Sequence, residues 1–149
     1  HSEGVSEPYA ILDYTTAYKE YATSAKRGFK VIDGRKAVLI QDEFVLAKSC
    51  DIALVMTTDA SIEIIDPQKA ILTLNNQKLT ARILSPTNAV FSQGSAEQTS
   101  PQKLNTGVKR LYAKTPVTTG NVTIIVLLSP QWSGTDSNLN PEIKKLSSW

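Results

Sequence analysis

Asp33-Gly34 lies between two apolar runs, residues 25–32 and 36–45, and no other feature constrains the chain as strongly. Both residue types tolerate positive φ, so the pair predicts a type I′ hairpin. The same alternation of apolar run and turn signal then fills the chain. Residues 9–12, 52–57, 61–65, 69–74, 79–83, 89–92, 108–114 and 122–128 read as further strands. Asp66-Pro67, Asn75-Asn76, Pro86 and residues 116–120 separate them, each offering a fixed φ or a residue that accepts a left-handed backbone. Residues 79–83 alternate with period two, as a half-buried strand does. Residues 122–128 form the most apolar run and are predicted to be a central strand buried on both faces. The polar stretch 94–107 is predicted to be an exposed loop. Asp13 is placed to cap a short helical turn reaching Tyr21. Strands do not alternate with helices, which excludes a doubly wound fold. The expectation is an all-β fold, an antiparallel β-sandwich of about nine or ten strands with one short helical turn near the N-terminus.

The 149 residues suffice for one domain with a substantial core. Apolar residues make up 41% and charged residues 20%, a globular balance rather than a disordered one. A net charge of +2 makes no case for nucleic acid, which asks for a basic stripe. Cys50 is the one cysteine, so no intrachain disulfide can form, and it is expected to be a buried inert thiol. His1 is the one histidine. One Cys and one His cannot build a zinc site or a nucleophilic triad. Calcium-loop spacing and a phosphate-binding glycine cluster are both missing, and neither metal nor cofactor is expected. The longest apolar run falls well short of the roughly 18–20 residues that span a membrane, so no membrane partner is expected. No signal peptide is visible; in an exported protein it would lie upstream or have been removed.

Three groups of residues invite a chemical reading. Asp42 and Glu43 are adjacent, so on a strand they point to opposite faces and cannot form a close dyad. Asp42 is read as a structural acceptor at a strand end and Glu43 as a solvated charge. Lys26-Arg27 and Arg35-Lys36 lie near the two ends of one hairpin arm. They are either a solvated edge that discourages aggregation or a patch that grips an acidic polysaccharide. Tyr14, Tyr18 and Tyr21 would share one helical face, as a packing stripe or as a surface on which sugars stack. Trp132 is a strand-end packing residue or a stacking platform. Asn121-Val122-Thr123 matches the N-glycosylation acceptor, at the start of the most apolar strand.

The block running from Lys26-Arg27-Gly28-Phe29 through Asp33-Gly34 to Gln41-Asp42-Glu43 resembles the β-rich C-terminal part of heparinase II/III-like polysaccharide lyases. The likeness continues in order along most of the chain. Residues 11–18 resemble the family's segment that precedes the arginine strand. Residues 53–58, 70–74, 78–86 and 122–130 resemble its later strands, and Leu146-Ser147-Ser148-Trp149 its Leu-x-x-Trp ending. The resemblance implies a single β-sandwich domain, 1–149, belonging to the C-terminal part of a larger secreted or periplasmic enzyme, with residues 131–149 as a tail packed on the sheet. It implies a helical toroid in the same parent chain and an acidic polysaccharide as partners. Family members cleave uronic-acid polysaccharides by β-elimination, with tyrosine and histidine moving the protons. The family's catalytic His precedes Asn-Thr, whereas His1 precedes Ser2-Glu3, so no catalytic residue carries over and this chain alone is expected to be inactive. Lys26, Arg27, Arg35, Lys36 and Trp132 are the candidate substrate-binding residues. A free-standing carbohydrate-binding module and a structural or adhesion module are the alternatives.

Overall fold

The computed structural model describes residues 7–132 and 138–149. Ten strands form two antiparallel sheets: β1 (Tyr9–Asp13), β2 (Ala22–Ile32), β3 (Ala37–Cys50), β4 (Ala53–Thr58), β5 (Ser61–Asp66), β6 (Lys69–Leu74), β7 (Gln77–Ser85), β8 (Val90–Ser95), β9 (Lys109–Lys114) and β10 (Thr118–Pro130). The larger sheet has the order β1-β2-β3-β10-β7-β6-β5, and the smaller the order β4-β9-β8. The helical segments among the described residues are two 3-10 turns, Thr15–Tyr18 and Leu146–Ser148. This is the expected all-β fold, with a second helical turn that the sequence did not announce.

Two long strands, β3 and β10, pair along nearly their whole length and form the spine of the larger sheet. As expected, β10 is central and apolar on both sides. Ile124 and Val126 are fully buried against the smaller sheet, in one cluster with Ile40, Phe44, Leu54, Phe91 and Leu111. Ile125 and Leu127, on the other face, cluster with Ile32, Ala37 and Leu39, against which Leu139 and Trp149 of the C-terminal segment pack. The larger sheet is therefore covered twice, by the smaller sheet on its inner face and by residues 139–149 on its outer face. Arg82 adds a clamp on the outer side, donating through Nη2 to the carbonyl of Leu139.

Some local readings change. Asp33-Gly34 does not make a two-residue turn, because the ladder closes at Ile32 opposite Ala37, leaving four residues in the loop. Asp33, Gly34 and Arg35 all have positive φ, at 51°, 59° and 71°, and the Lys36 amide donates to both Ile32 and Asp33 carbonyls at 3.1 Å. Arg35 takes the third left-handed position, which no Asp-Gly rule would assign to it. Asn75-Asn76 does form the tight two-residue turn, with φ of 49° and 63° between the paired Leu74 and Gln77. The helical turn stops at Tyr18. Asp42 is not at a strand end but mid-strand, because β3 runs on to Cys50. Lys26 and Arg27 are not on an edge either, since β1 pairs outside β2 and occupies that position.

Gly28 shows why the C-terminal segment fits. It is buried on β2, and a Cβ built there would lie 2.4 Å from Leu146 Cδ2 and 2.7 Å from Trp149 Cζ3. The absent side chain is the seat of the Leu-x-x-Trp ending. Gly28→Ala should unseat that ending at a cost of about 1–3 kcal/mol, the usual range for overpacking. In a Trp132→Phe background, Trp149 emission should shift to the red and the urea midpoint should fall. Unchanged emission and midpoint would place the tail elsewhere in solution.

Candidate functional site

Strand alternation sends neighbouring residues of β3 to opposite faces. Asp42 points inward and Gln41 and Glu43 point outward, as predicted from their adjacency. On the inner face Asp42 is 1% exposed and opposes Arg27 of β2 in register. Arg27 grips it with both arms of its fork, Nε to Oδ1 and Nη2 to Oδ2, each at 2.6 Å. That bidentate hydrogen bond holds the guanidinium charged more firmly than usual, against the opposing effect of burial.

Tyr14 reaches the same place by a different route. The 3-10 turn after β1 is stapled to β2 at Ala25. The Tyr14 amide donates to the Ala25 carbonyl at 3.0 Å, and the Ala25 amide donates to Thr15 Oγ1 at 3.0 Å. Asp13 Oδ1 accepts the Thr15 amide at 3.0 Å, so Asp13 does hold the start of the turn. Its carboxyl titrates below the ordinary range, chiefly because of the Thr15 hydrogen bonds. Tyr14 then meets Tyr18 edge-on at 5.3 Å between ring centroids, and both meet Phe44, at 6.2 and 6.3 Å. Tyr21 leaves this ring cluster, with Lys48 Nζ 5.5 Å above its ring. The three tyrosines, Arg27, Asp42 and Phe44 line one cavity of about 300 Å³, with Cys50 and Asp51 at its far side.

This cavity has acid, base and aromatic groups, but it does not assemble a proton abstractor. The Tyr14 hydroxyl is buried without a hydrogen-bond partner. Burial, followed by the nearby Asp42 charge, pushes its pKa well above the ordinary tyrosine value. A phenol held neutral in this way is a poor general base near neutral pH. Arg27 and Asp42 spend their charges on each other. Among the described residues no three His, Cys, Asp or Glu side chains gather as a metal would need, and His1 lies outside the described residues.

Glu43 is not a solvated charge. Its Oε1 accepts Gln41 Nε2 and the Leu146 amide, both at 2.8 Å, and Gln41 Nε2 also donates to the Lys144 carbonyl at 2.9 Å. The outward side chains thus bind the tail. The candidate binding residues divide accordingly. Lys26 is exposed on the outer face opposite Glu43, and Arg27 is committed on the inner face. Arg35 and Lys36 sit in the β2–β3 loop at the other end of β3. There the Trp132 indole donates to the Lys36 carbonyl at 3.1 Å. Lys36 and Trp132 are therefore brought together, and Lys26 and Arg27 are not. Beside Trp132 opens a second concavity, a groove of about 470 Å³ between the β6–β7 turn, the end of β10 and the β4–β5 connection. The Asn121 side chain is exposed, as its acceptor motif would require.

The sequence does not single out Gly28 and Gln41 for these roles, nor the burial of the Tyr14 hydroxyl beside Asp42. The usable signal was a glycine inside a strand, which marks a close approach of another segment.

Two outcomes follow for this cluster. Asp42→Ala leaves the Arg27 cation without its partner and should cost about 3–5 kcal/mol in urea unfolding, whereas the double change Arg27→Met with Asp42→Leu should cost much less. Tyr14→Phe removes an unpartnered hydroxyl and should be neutral or slightly stabilising near pH 7. It should also flatten the alkaline limb. The unfolded tyrosine loses its proton near pH 10 and the folded one does not, so above that pH wild-type stability falls by up to about 1.4 kcal/mol per pH unit from this group. Melting curves between pH 8 and 11 that match for wild type and Tyr14→Phe would refute the assignment.

No protein-family model and no curated protein matches the sequence. Solved structures do match in fold. A crystal structure of heparinase III superposes with a TM-score of 0.66 at 11% identity, covering 87% of this chain and 20% of that one. A heparan sulfate lyase, HepC from Pedobacter heparinus, superposes with a TM-score of 0.65 at 14% identity, covering 94% of this chain and 22% of that one. The chain spans about a fifth of the length of these structures and shares the β-sandwich fold of that portion.

Proposed function

We propose that this chain is a β-sandwich region of a polysaccharide lyase that cleaves uronic-acid polysaccharides by β-elimination, and that it supports and flanks the reaction rather than performing it. The observation that carries the reading is the fold likeness, which takes in 94% of this chain but only 22% of the heparan sulfate lyase. The ordered motifs from Lys26 to Trp149 point the same way. The inner cavity adds support, because its tyrosine is held neutral and its arginine is already paired. On this reading the protons are moved by groups in another part of the parent chain, a helical toroid, and the enzyme works outside the cell or in the periplasm. A free-standing carbohydrate-binding module is the second reading, favoured by the exposed indole of Trp132.

The test compares the isolated chain with the longer parent chain on heparan sulfate, heparin and hyaluronan, following the unsaturated product by its near-ultraviolet absorbance. Product from the longer chain and none from the isolated one is expected. Product from the isolated chain would overturn the supporting role. None from the longer chain would overturn the lyase reading.

A further inference from the structure

The two edges of the larger sheet, β1 and β5, are built differently. β5 is guarded as edge strands usually are. It carries Glu63 and Asp66, and its register with β6 shifts between Ile64 and Asp66. β1 pairs with β2 in unbroken register from Tyr9 to Asp13. Its sequence is Tyr-Ala-Ile-Leu-Asp, and the one carboxylate is spent on the Thr15 amide. Ile11 stands opposite Gly28 and so shares the outer face with the tail, while Leu12 stands opposite Arg27 on the inner face. Both remain in water, 38% and 51% exposed, and Phe29 on the inner face is 37% exposed. Apolar exposure on both faces of one strand leaves unused the burial that such a strand can supply.

The backbone is open along the same line. The Val31 amide donates to the Pro8 carbonyl and the Tyr14 amide to the Ala25 carbonyl, each at 3.0 Å. Antiparallel bonds fall on alternate residues, so Ala10 and Leu12 spend their peptide groups on β2. The N–H and C=O of Ile11 and Asp13 point away from the sheet, and among the described residues no strand lies beyond them. Outward peptide groups at that spacing are matched by an extended strand and not by a helix, whose own peptide groups are already bonded. The occupant follows from length, because structures that share this fold cover 87% and 94% of this chain while only 20% and 22% of their own length is matched. We infer that a segment of the parent chain adds a strand to β1 and extends the larger sheet. That segment is apolar on both faces, to lie beside Ile11 outside and Ala10 and Leu12 inside, and has no proline in its interior. The inference rests on the reading of this chain as part of a longer lyase, and it names the edge through which the two parts join.

The test is site-resolved amide hydrogen exchange on the isolated chain and on the longer parent chain. In the isolated chain the Ile11 and Asp13 amides should exchange within about tenfold of an unstructured peptide, and the Ala10 and Leu12 amides more slowly. In the longer chain Ile11 and Asp13 should slow by at least about 100-fold. Ile11→Pro removes an outward N–H that β2 does not use, so the melting midpoint of the isolated chain should stay within about 2 °C of wild type. In the longer chain the same change should return the Asp13 amide to its fast rate. Ile11 and Asp13 amides that are equally fast in both chains would overturn the inference. So would a concentration-dependent slowing in the isolated chain accompanied by a dimer in sedimentation, which would make the occupant a second copy. Slowing of Ala10 and Leu12 alone would mean a cover packed on the face with no added strand, and would overturn it too. Product formation by the longer chain is scored separately. Product without protection at Ile11 removes the added strand and leaves the lyase reading standing, and protection without product does the reverse.

Discussion

Three consecutive residues of β3 bind in two directions, and the rest of the molecule is arranged around them. Asp42 turns inward and is neutralised by Arg27. Gln41 and Glu43 turn outward and hold residues 144 and 146. A carboxylate at this depth is tolerable only because the guanidinium fork satisfies both of its oxygens at once. The pair sits where β2 and β3 face the aromatic turn, so it fixes the register of those two strands. A one-residue slip would put Asp42 on the tail side and Gln41 under the rings. The polar residues select a single alignment, and the apolar residues around them supply the burial.

The two faces of the larger sheet follow different rules. On the inner face the smaller sheet covers the middle and the β5 side, while Leu12, Tyr18 and Phe29 stay exposed toward β1 and β2. On the outer face an irregular segment takes the place of a third layer. An irregular cover can do this only if its backbone polar groups find partners, and the side chains of β3 and Arg82 provide them. Gly28 then supplies the room.

Much of this was legible in the residues. Alternation and turn pairs placed all ten strands, because period-two patterning and the φ demands of Asn-Asn or Asp-Pro act locally. Their limit shows at residues 33–36. Asp-Gly signals a turn, but loop length depends on where the ladder resumes across the gap, and that is set by the long β3–β10 pairing. The adjacency of Asp42 and Glu43 correctly forecast opposite faces. It did not forecast partners, since Leu146 lies 103 residues from Glu43 and no local rule connects them. The tyrosine stripe held only in part: Tyr14 and Tyr18 meet edge-on, but the turn ends at Tyr18 and the Tyr21 carbonyl is taken by the Ala47 and Lys48 amides of β3, so Tyr21 leaves the ring cluster. Lys36 and Trp132, two of the candidate binding residues, meet through a backbone carbonyl, a contact that side-chain chemistry does not encode.

The contact between Tyr9 and Trp149, ring against ring at 6.1 Å, means that both ends of the described fold rest on β2. Lys30 of that strand touches both, pairing with Glu7 at 2.8 Å and lying 5.8 Å from the Trp149 ring. Two segments that share one support cannot be independent. Whatever loosens the first strand must weaken the seat of the last turn, and linkage requires the reverse effect to be equal in free energy. The corner where Tyr9, Lys30 and Trp149 meet is thus a coupled joint, able to pass a disturbance between the first strand and the last turn.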